Sequence, residues 1–165
     1  MITRLAKILL LAGVAIDFTL VVLNNITDFD SNYQYVRHVL MMDTTFPNNH
    51  LLWRALPEPW LHFAFYLSII AWEFVTCILL WWGMVKLGQA LRQPAPTFNA
   101  AKRTPILALT LSLLIWLVAF LDVGGEWFLM WQSHIWNGQE AAFRMFAVVG
   151  IVLLILLQPE TEGQP

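Results

Sequence analysis

The sequence holds one cysteine, Cys77, in 165 residues. That excludes an internal disulfide, and with it the stapled scaffold of a small secreted domain. Inside an apolar run, Cys77 reads as a small packing residue. Charge is scarce: Asp, Glu, Lys and Arg make up 12% of the chain, where a soluble domain carries about 25%. The net charge of −2 offers no electrostatic footprint for nucleic acid. Catalytic signatures are missing as well. There is no G-x-S-x-G, no glycine-rich phosphate loop, no cysteine pair, and no H-x-x-x-H or E-x-x-H spacing on one helix. No internal repeat is visible. These absences lead to the expectation of a protein that is not an enzyme and uses no cofactor.

What fills the chain is hydrophobic residues, 59% of it, with 9 tryptophans. Four apolar runs are long enough to cross a bilayer, which needs about 20 helical residues. They predict membrane helices at about 5–23, 60–85, 105–123 and 140–157. The first is expected to be uncleaved, because Asp17 interrupts its apolar region and no small-residue cleavage site follows. Pro57-Glu58-Pro59-Trp60 opens the second helix. Thr104-Pro105 predicts the start of the third, a cap residue followed by proline at the first helical position. Gln158-Pro159 ends the fourth, and a frayed polar tail is expected from Glu160 onward. The fold class is all-α: one integral membrane domain over 1–165, a four-helix bundle with a folded periplasmic cap containing short helices.

The cap comes from segments 24–58 and 124–139. Ser31-Asn32-Tyr33-Gln34 fits a capping box and predicts a short amphipathic helix to about Met42. Pro47 stops helical structure near 43–46, and a second short helix is expected within 48–56. The stretch from Gly124 to Gly138 carries Trp127, Trp131 and Trp136 between glycines and breakers, and tryptophan favours the membrane–water interface. Gly124-Gly125 reads as a hinge or a close-packing site. Orientation follows from the basic residues. Arg4, Lys7, Lys86, Arg92, Lys102 and Arg103 flank one side; Arg37, Arg54 and Arg144 fall on the other. The positive-inside rule then places both termini and the 86–104 loop in the cytoplasm and the cap in the periplasm.

Within the membrane runs, Asp17 and Glu73 are costly and therefore candidate functional residues. At 100° per residue, His62, Tyr66, Glu73 and Cys77 share one stripe, and Gly13, Asp17 and Asn24 make a second. Both stripes are expected to face the bundle interior, Gly13 permitting close helix approach. They fit a proton or ion path ending near Glu73, or a structural role in which a protonated Glu73 bonds to a neighbouring helix. Arg144, the third intramembrane polar residue, is expected to pair across helices with Asp122, Glu126 or Asp17, Glu140 being its partner along its own helix. An Arg144 pair with Asp122 or Glu126 would hold Trp127 and Trp131 against the 24–58 segment.

The histidines His38, His50, His62 and His134 all map to the capped half, with Asp28, Asp30, Asp43, Asp122 and Glu126 around them. His38, His62, Glu126 and His134 are candidate metal ligands by chemistry, and ordinary capping and interface bonds explain them equally. Asp28-Phe29-Asp30-Ser31-Asn32 opens like a calcium loop, but Tyr33 stands where glycine is needed and Val39 at the twelfth position.

Several strings of this chain point to one family: Asn24-Asn25-Ile26-Thr27-Asp28-Phe29-Asp30-Ser31-Asn32, His38-Val39-Leu40-Met41-Met42-Asp43-Thr44-Thr45-Phe46-Pro47, Gly124-Gly125-Glu126-Trp127-Phe128-Leu129-Met130-Trp131-Gln132-Ser133 and Trp136-Asn137-Gly138-Gln139. The chain resembles, over nearly its whole length, a bacterial and chiefly proteobacterial family of predicted small integral membrane proteins. The resemblance implies a bacterial inner membrane and brings no activity, ligand or catalytic residue. The residues themselves lead to a non-catalytic accessory or interaction subunit, whose partners are the lipid bilayer and a protein in the membrane or periplasm, met through the exposed cap. The alternatives are an ion-coupled carrier using Asp17, Glu73 and Arg144, and a periplasm-facing metal or lipid-head-group site.

Overall fold

In lipid a backbone has no water to bond, so an apolar chain that enters it closes its hydrogen bonds within a helix. The computed structural model describes residues 1–161, and among them there are helices and no strands. Four helical stretches are long and apolar enough to cross a membrane: Ile2–Thr27, Pro59–Ala90, Ala95–Trp127 and Gln139–Leu157.

Helix α1 (Ile2–Thr27) runs past its hydrophobic limit, because Asn24, Asn25 and Thr27 stay in the helical ladder. Asp28 alone separates it from α2 (Phe29–Met41). The expected capping box is not formed: Ser31 lies inside α2, which starts earlier and has no side-chain cap at Asp28. Met42 then turns the chain in the left-handed region (φ 52°), and a single 3₁₀ turn, Leu52–Arg54, is the only helical piece in 48–56.

Helix α3 (Pro59–Ala90) has proline in its first turn, as expected. The segment expected as loop is largely helical. α3 itself continues to Ala90, and α4 (Ala95–Ala101) is followed at once by α5 (Arg103–Leu114). Lys102, not Thr104, caps α5, and Pro105 lies one turn in; early helical positions tolerate proline because their N–H groups have no intrahelical partner. From Ile115 to Trp127 the same helix is wound as a π-helix, so Gly124-Gly125 is neither hinge nor loop. Both glycines are buried, and a Cβ on Gly125 would collide with the Gln139 side chain. After a left-handed turn at Leu129 and a 3₁₀ turn at Met130–Gln132, α6 (Gln139–Leu157) completes the bundle.

Side-chain bonds set the relative heights. Arg4 Nη1 donates to the Leu91 and Gln93 carbonyls (3.1 and 2.6 Å), Trp81 Nε1 donates to Thr19 Oγ1 (2.9 Å), and Asn25 reaches Glu73. α1 is therefore antiparallel to α3 and ends level with the middle of α3. Pro105 lies against Gly83, and Trp72 Nε1 donates to the Leu111 carbonyl (3.2 Å), so α5 is antiparallel to α3 as well. The first half of α3 and the π-helix thus rise beyond α1. α2 folds over this projection, its Phe29 ring 4.8 Å from that of Tyr66 and its Leu40 carbonyl accepting the Leu56 N–H (2.9 Å). The main core includes Leu11, Phe18, Leu80, Leu87, Leu109 and Leu156; a second cluster, Val39, Leu40, Met42, Phe128, Leu129 and Met130, fills the cap.

The tail expected to fray is fastened at Glu160, whose N–H donates to Asn99 Oδ1 and whose carbonyl accepts from Asn99 Nδ2, both at 3.0 Å. The rest of that expected tail, residues 162–165, lies outside the described residues.

Candidate functional site

The stripe read on α3 is real. His62, Tyr66 and Glu73 are buried and Cys77 is half-buried on one face. Its partner on α1 is shifted by one residue from the expected stripe: Asn24 and Gly13 are exposed, and Asn25 points inward. Asn25 Nδ2 donates to Glu73 Oε2 at 2.6 Å, and Tyr66 Oη donates to the Asn25 carbonyl at 2.9 Å and lies 3.3 Å from its Oδ1. Among the described residues no cation lies within salt-bridge distance of Glu73. The carboxyl is held by the Asn25 amide, an interhelical bond, and Tyr66 in turn holds Asn25. His62 Nε2 bonds the Leu56 carbonyl (2.5 Å), tying the head of α3 to the chain that enters it.

Glu73, Asn25 and Tyr66 line a partly open space of about 250 Å³ at the level where α1 ends, together with Asn32 and Tyr35 of α2 and Trp116 of the π-helix. Trp116 is 9% exposed, and its Nε1–H is buried without a partner among the described residues. Burial pushes the Tyr35 phenol up to about 12 against the lowering effect of the Gly138 backbone, so it stays a neutral donor; its Oη lies 2.7 Å from Met130 Sδ. Gly138 is required there, because a Cβ would strike that hydroxyl.

Tyr35, Val36, Ile69 and Phe120 also line a second space of about 220 Å³, a cleft between α3 and the π-helix roofed by α2. Its remaining walls are almost wholly apolar, with Phe65 and Val118 at its exposed rim. The arrangement is a mostly apolar chamber with Glu73, Asn25, Asn32 and Tyr66 in its wall, beside an apolar cleft that opens sideways. Of its key groups, sequence reading found Glu73 and Tyr66 but not Asn25, Asn32 or Trp116. An asparagine beside another asparagine and a tryptophan in an apolar run carry no mark of which side faces in.

Other expected residues fall elsewhere. Asp17, eight residues and about 12 Å along α1 from Asn25, is half-buried with Oδ2 lacking a partner among the described residues. Arg144 is exposed on α6 and forms no ion pair among the described residues; Asp122, Glu126 and Glu140 are exposed too. The expected Arg144 bridge is therefore corrected. Only about one turn separates Arg144 from the helix start, so its long side chain can extend toward the interface instead of pairing.

The cap is nonetheless one unit. Trp131 packs edge-on against Phe46 and Trp127 against Trp53, with centroids 5.7 and 6.0 Å apart. Arg54, an arginine that sequence reading did not single out, lies over the Trp127 ring (4.6 Å) and donates to its carbonyl (3.3 Å). Gln132 Oε1 accepts from the Phe46 N–H and Asn49 Nδ2, and Thr44 Oγ1 donates to Ser133 Oγ (2.8 Å).

His38 stacks on Trp136 and its Nδ1 is 2.7 Å from Asp43 Oδ2. Asp28, Asp30, His50 and His134 are exposed or near the surface. Among the described residues no three His, Cys, Asp or Glu side chains gather for a metal ion, so His38, His62, Glu126 and His134 do not converge.

No curated protein and no solved structure matches the chain. Four helices long and apolar enough to cross a membrane fit a small integral membrane protein, and residues 3–159 match the family model described as "Predicted small integral membrane protein (DUF2165)"; the chain belongs to that family.

Proposed function

We propose that this is a non-catalytic protein of the bacterial inner membrane, with both termini cytoplasmic, that holds a lipid-like ligand beneath a periplasmic cap. The ligand has an uncharged head bearing hydroxyl or carbonyl oxygens, and its chain lies in the apolar cleft. The observation that carries this reading is the chamber at the end of α1, where Glu73, Asn25, Asn32 and Tyr66 meet beside the apolar cleft. These residues supply polar atoms for a head group, and the neighbouring cleft, which shares Tyr35, Val36, Ile69 and Phe120 with the chamber, supplies an apolar bed for its chain.

The carrier reading has less support. Glu73 is bound to a neutral amide, and Asp17 lies about two helical turns away. The accessory role rests on a separate observation. Trp53 and Ile135 on the outside of the cap are 70% and 74% exposed, an apolar surface suited to a protein partner that receives or presents the ligand.

Lipid mass spectrometry of protein purified from native membranes in gentle detergent tests the reading. Wild type should carry a neutral-headed lipid at about one per chain; Asn32→Leu, which replaces a polar part of the chamber wall by an apolar one, should retain roughly three- to tenfold less. A wild-type protein that purifies without such lipid, and takes up no monooleoylglycerol after delipidation, would sink the proposal.

A further inference from the structure

At the end of the bundle opposite the cap, three cations converge on the chain that leaves α6. Lys7 Nζ and Lys102 Nζ each donate to the Gln158 carbonyl at 2.7 Å, and Lys7 Nζ also reaches Glu160 Oε1 at 2.5 Å. Arg4 Nε lies 3.6 Å from Glu160 Oε2, and Thr3 Oγ1 donates to that oxygen at 3.4 Å. Lys7 and Lys102 are 6% and 3% exposed. Buried ammonium groups need anions close by, and among the described residues Glu160 is the one acid in this cluster. Burial alone would raise the Glu160 carboxyl. The Lys7 bond and charge, with Lys102 and Arg4 behind them, outweigh it and hold the group below the usual range.

Beside this carboxylate lies a cavity of about 790 Å³, walled by Arg4, Lys7, Arg92 and Thr3, with Ala6 and Ile155 giving it an apolar side. We propose that this is a binding site for the phosphate of an anionic lipid, whose place the Glu160 carboxylate now holds. The chemistry of the donors argues for it. An ammonium, a hydroxyl and the Nε edge of a guanidinium gathered around one carboxylate are donors a phosphate can use, and a phosphate adds a third oxygen. Basic residues at a helix end meet lipid phosphates at headgroup depth. The apolar side suits a glyceride better than a free ion. Only a side chain has to move, because the Asn99 bonds fix the Glu160 backbone independently of its carboxylate. This site is separate from the chamber at Glu73.

The test uses the full chain, titrated in neutral detergent with phosphatidylglycerol, phosphatidylcholine or inorganic phosphate, with binding read by native mass spectrometry. Phosphatidylglycerol should bind wild type at least about fivefold more tightly than phosphatidylcholine, and Arg92→Gln, at an exposed position, should weaken it about fivefold, the effect of one basic residue near the surface. Glu160→Gln should tighten phosphatidylglycerol binding by removing the competing charge. Saturation by millimolar inorganic phosphate with displacement of the lipid would keep the site and make a free anion its ligand. Equal binding of the two lipids with no phosphate effect overturns the site. Unchanged or weaker lipid binding in Glu160→Gln overturns the claim that the carboxylate holds the phosphate's place, and a failure of that variant to fold leaves Arg92→Gln to decide the site.

Discussion

Asn24 and Asn25 are adjacent, chemically identical and opposite in fate. Asn25 is buried in a bond to Glu73 that joins two membrane helices; Asn24 faces outward. Interhelical polar bonds in membranes are worth about 0.6 kcal/mol on average and up to about 1.7, and leaving the Glu73 carboxyl unmatched adds to the loss. Asn25→Leu should therefore destabilise the fold by about 1–2 kcal/mol, while Asn24→Leu should stay within about 0.5 kcal/mol of wild type. Reversible unfolding in mixed micelles reads both. Equal effects from the two would show that the Asn25–Glu73 bond contributes nothing to stability. The pair also shows where sequence reading stops. In a soluble helix the polar face marks the outside, but α1 is apolar toward both lipid and core, so Gly13, Asp17 and Asn24 looked like an inward stripe by their polarity alone. The α3 stripe was legible because His62, Tyr66 and Glu73 are too polar to face lipid.

At the level of elements, the same ambiguity moved the helix crossing. Gly13 looked like the site of close approach, yet a Cβ there meets nothing within 4 Å. At Gly83 a Cβ would come within 2.9 Å of Pro105 Cβ and 3.0 Å of its Cα. α3 and α5 therefore cross at Gly83, against a proline ring whose position is fixed. Gly83→Ala should force the helices apart and cost about 1–3 kcal/mol, whereas Gly13→Ala should be neutral or stabilise by up to about 1 kcal/mol through helix propensity. Thermal unfolding of the two variants checks this; a Gly83→Ala protein as stable as wild type would mean that the crossing has slack. The four long helices could be read from hydropathy alone because bilayer thickness demands their length. The π winding from Ile115 and the single-residue break at Asp28 could not, since neither place carries a proline or glycine to mark it. The cap is legible in its aromatic residues, but an arginine in an apolar run points to a carboxylate, and Arg144 pairs with none among the described residues. Arg54 fastens the cap instead, through aromatic rings and a carbonyl, in a segment whose fold the sequence marks weakly.

For the molecule as a whole, charge and aromatic surface divide between two ends. Arg4, Lys7 and Lys102 gather around Glu160 beyond the basic ends of the helices, and Lys86 lies 5.6 Å from the Trp82 ring and 3.2 Å from Thr104 Oγ1. The opposite end carries the cap, with Trp53, Trp127 and Trp131 around Arg54 and Phe46. Lysine and arginine near membrane helices resist export, and that bias sets orientation more strongly than total charge does. The basic end should therefore face the cytoplasm and the cap the periplasm. Both halves of this expectation can be read on one chain. A reporter inserted at Gln93, in the turn between α3 and α4, should be active only when the reporter works in the cytoplasm. One inserted at Asn48, in the exposed turn after α2, should be active only when the reporter works in the periplasm. Arg92 and Arg103 are both exposed at the basic end, so replacing them with Gln removes topogenic charge without breaking the Lys7–Glu160 cluster; if charge sets the orientation, that double variant should show a mixed signal at Gln93. A periplasmic signal from Gln93 in the wild-type chain reverses the orientation and puts the cap on the cytoplasmic side.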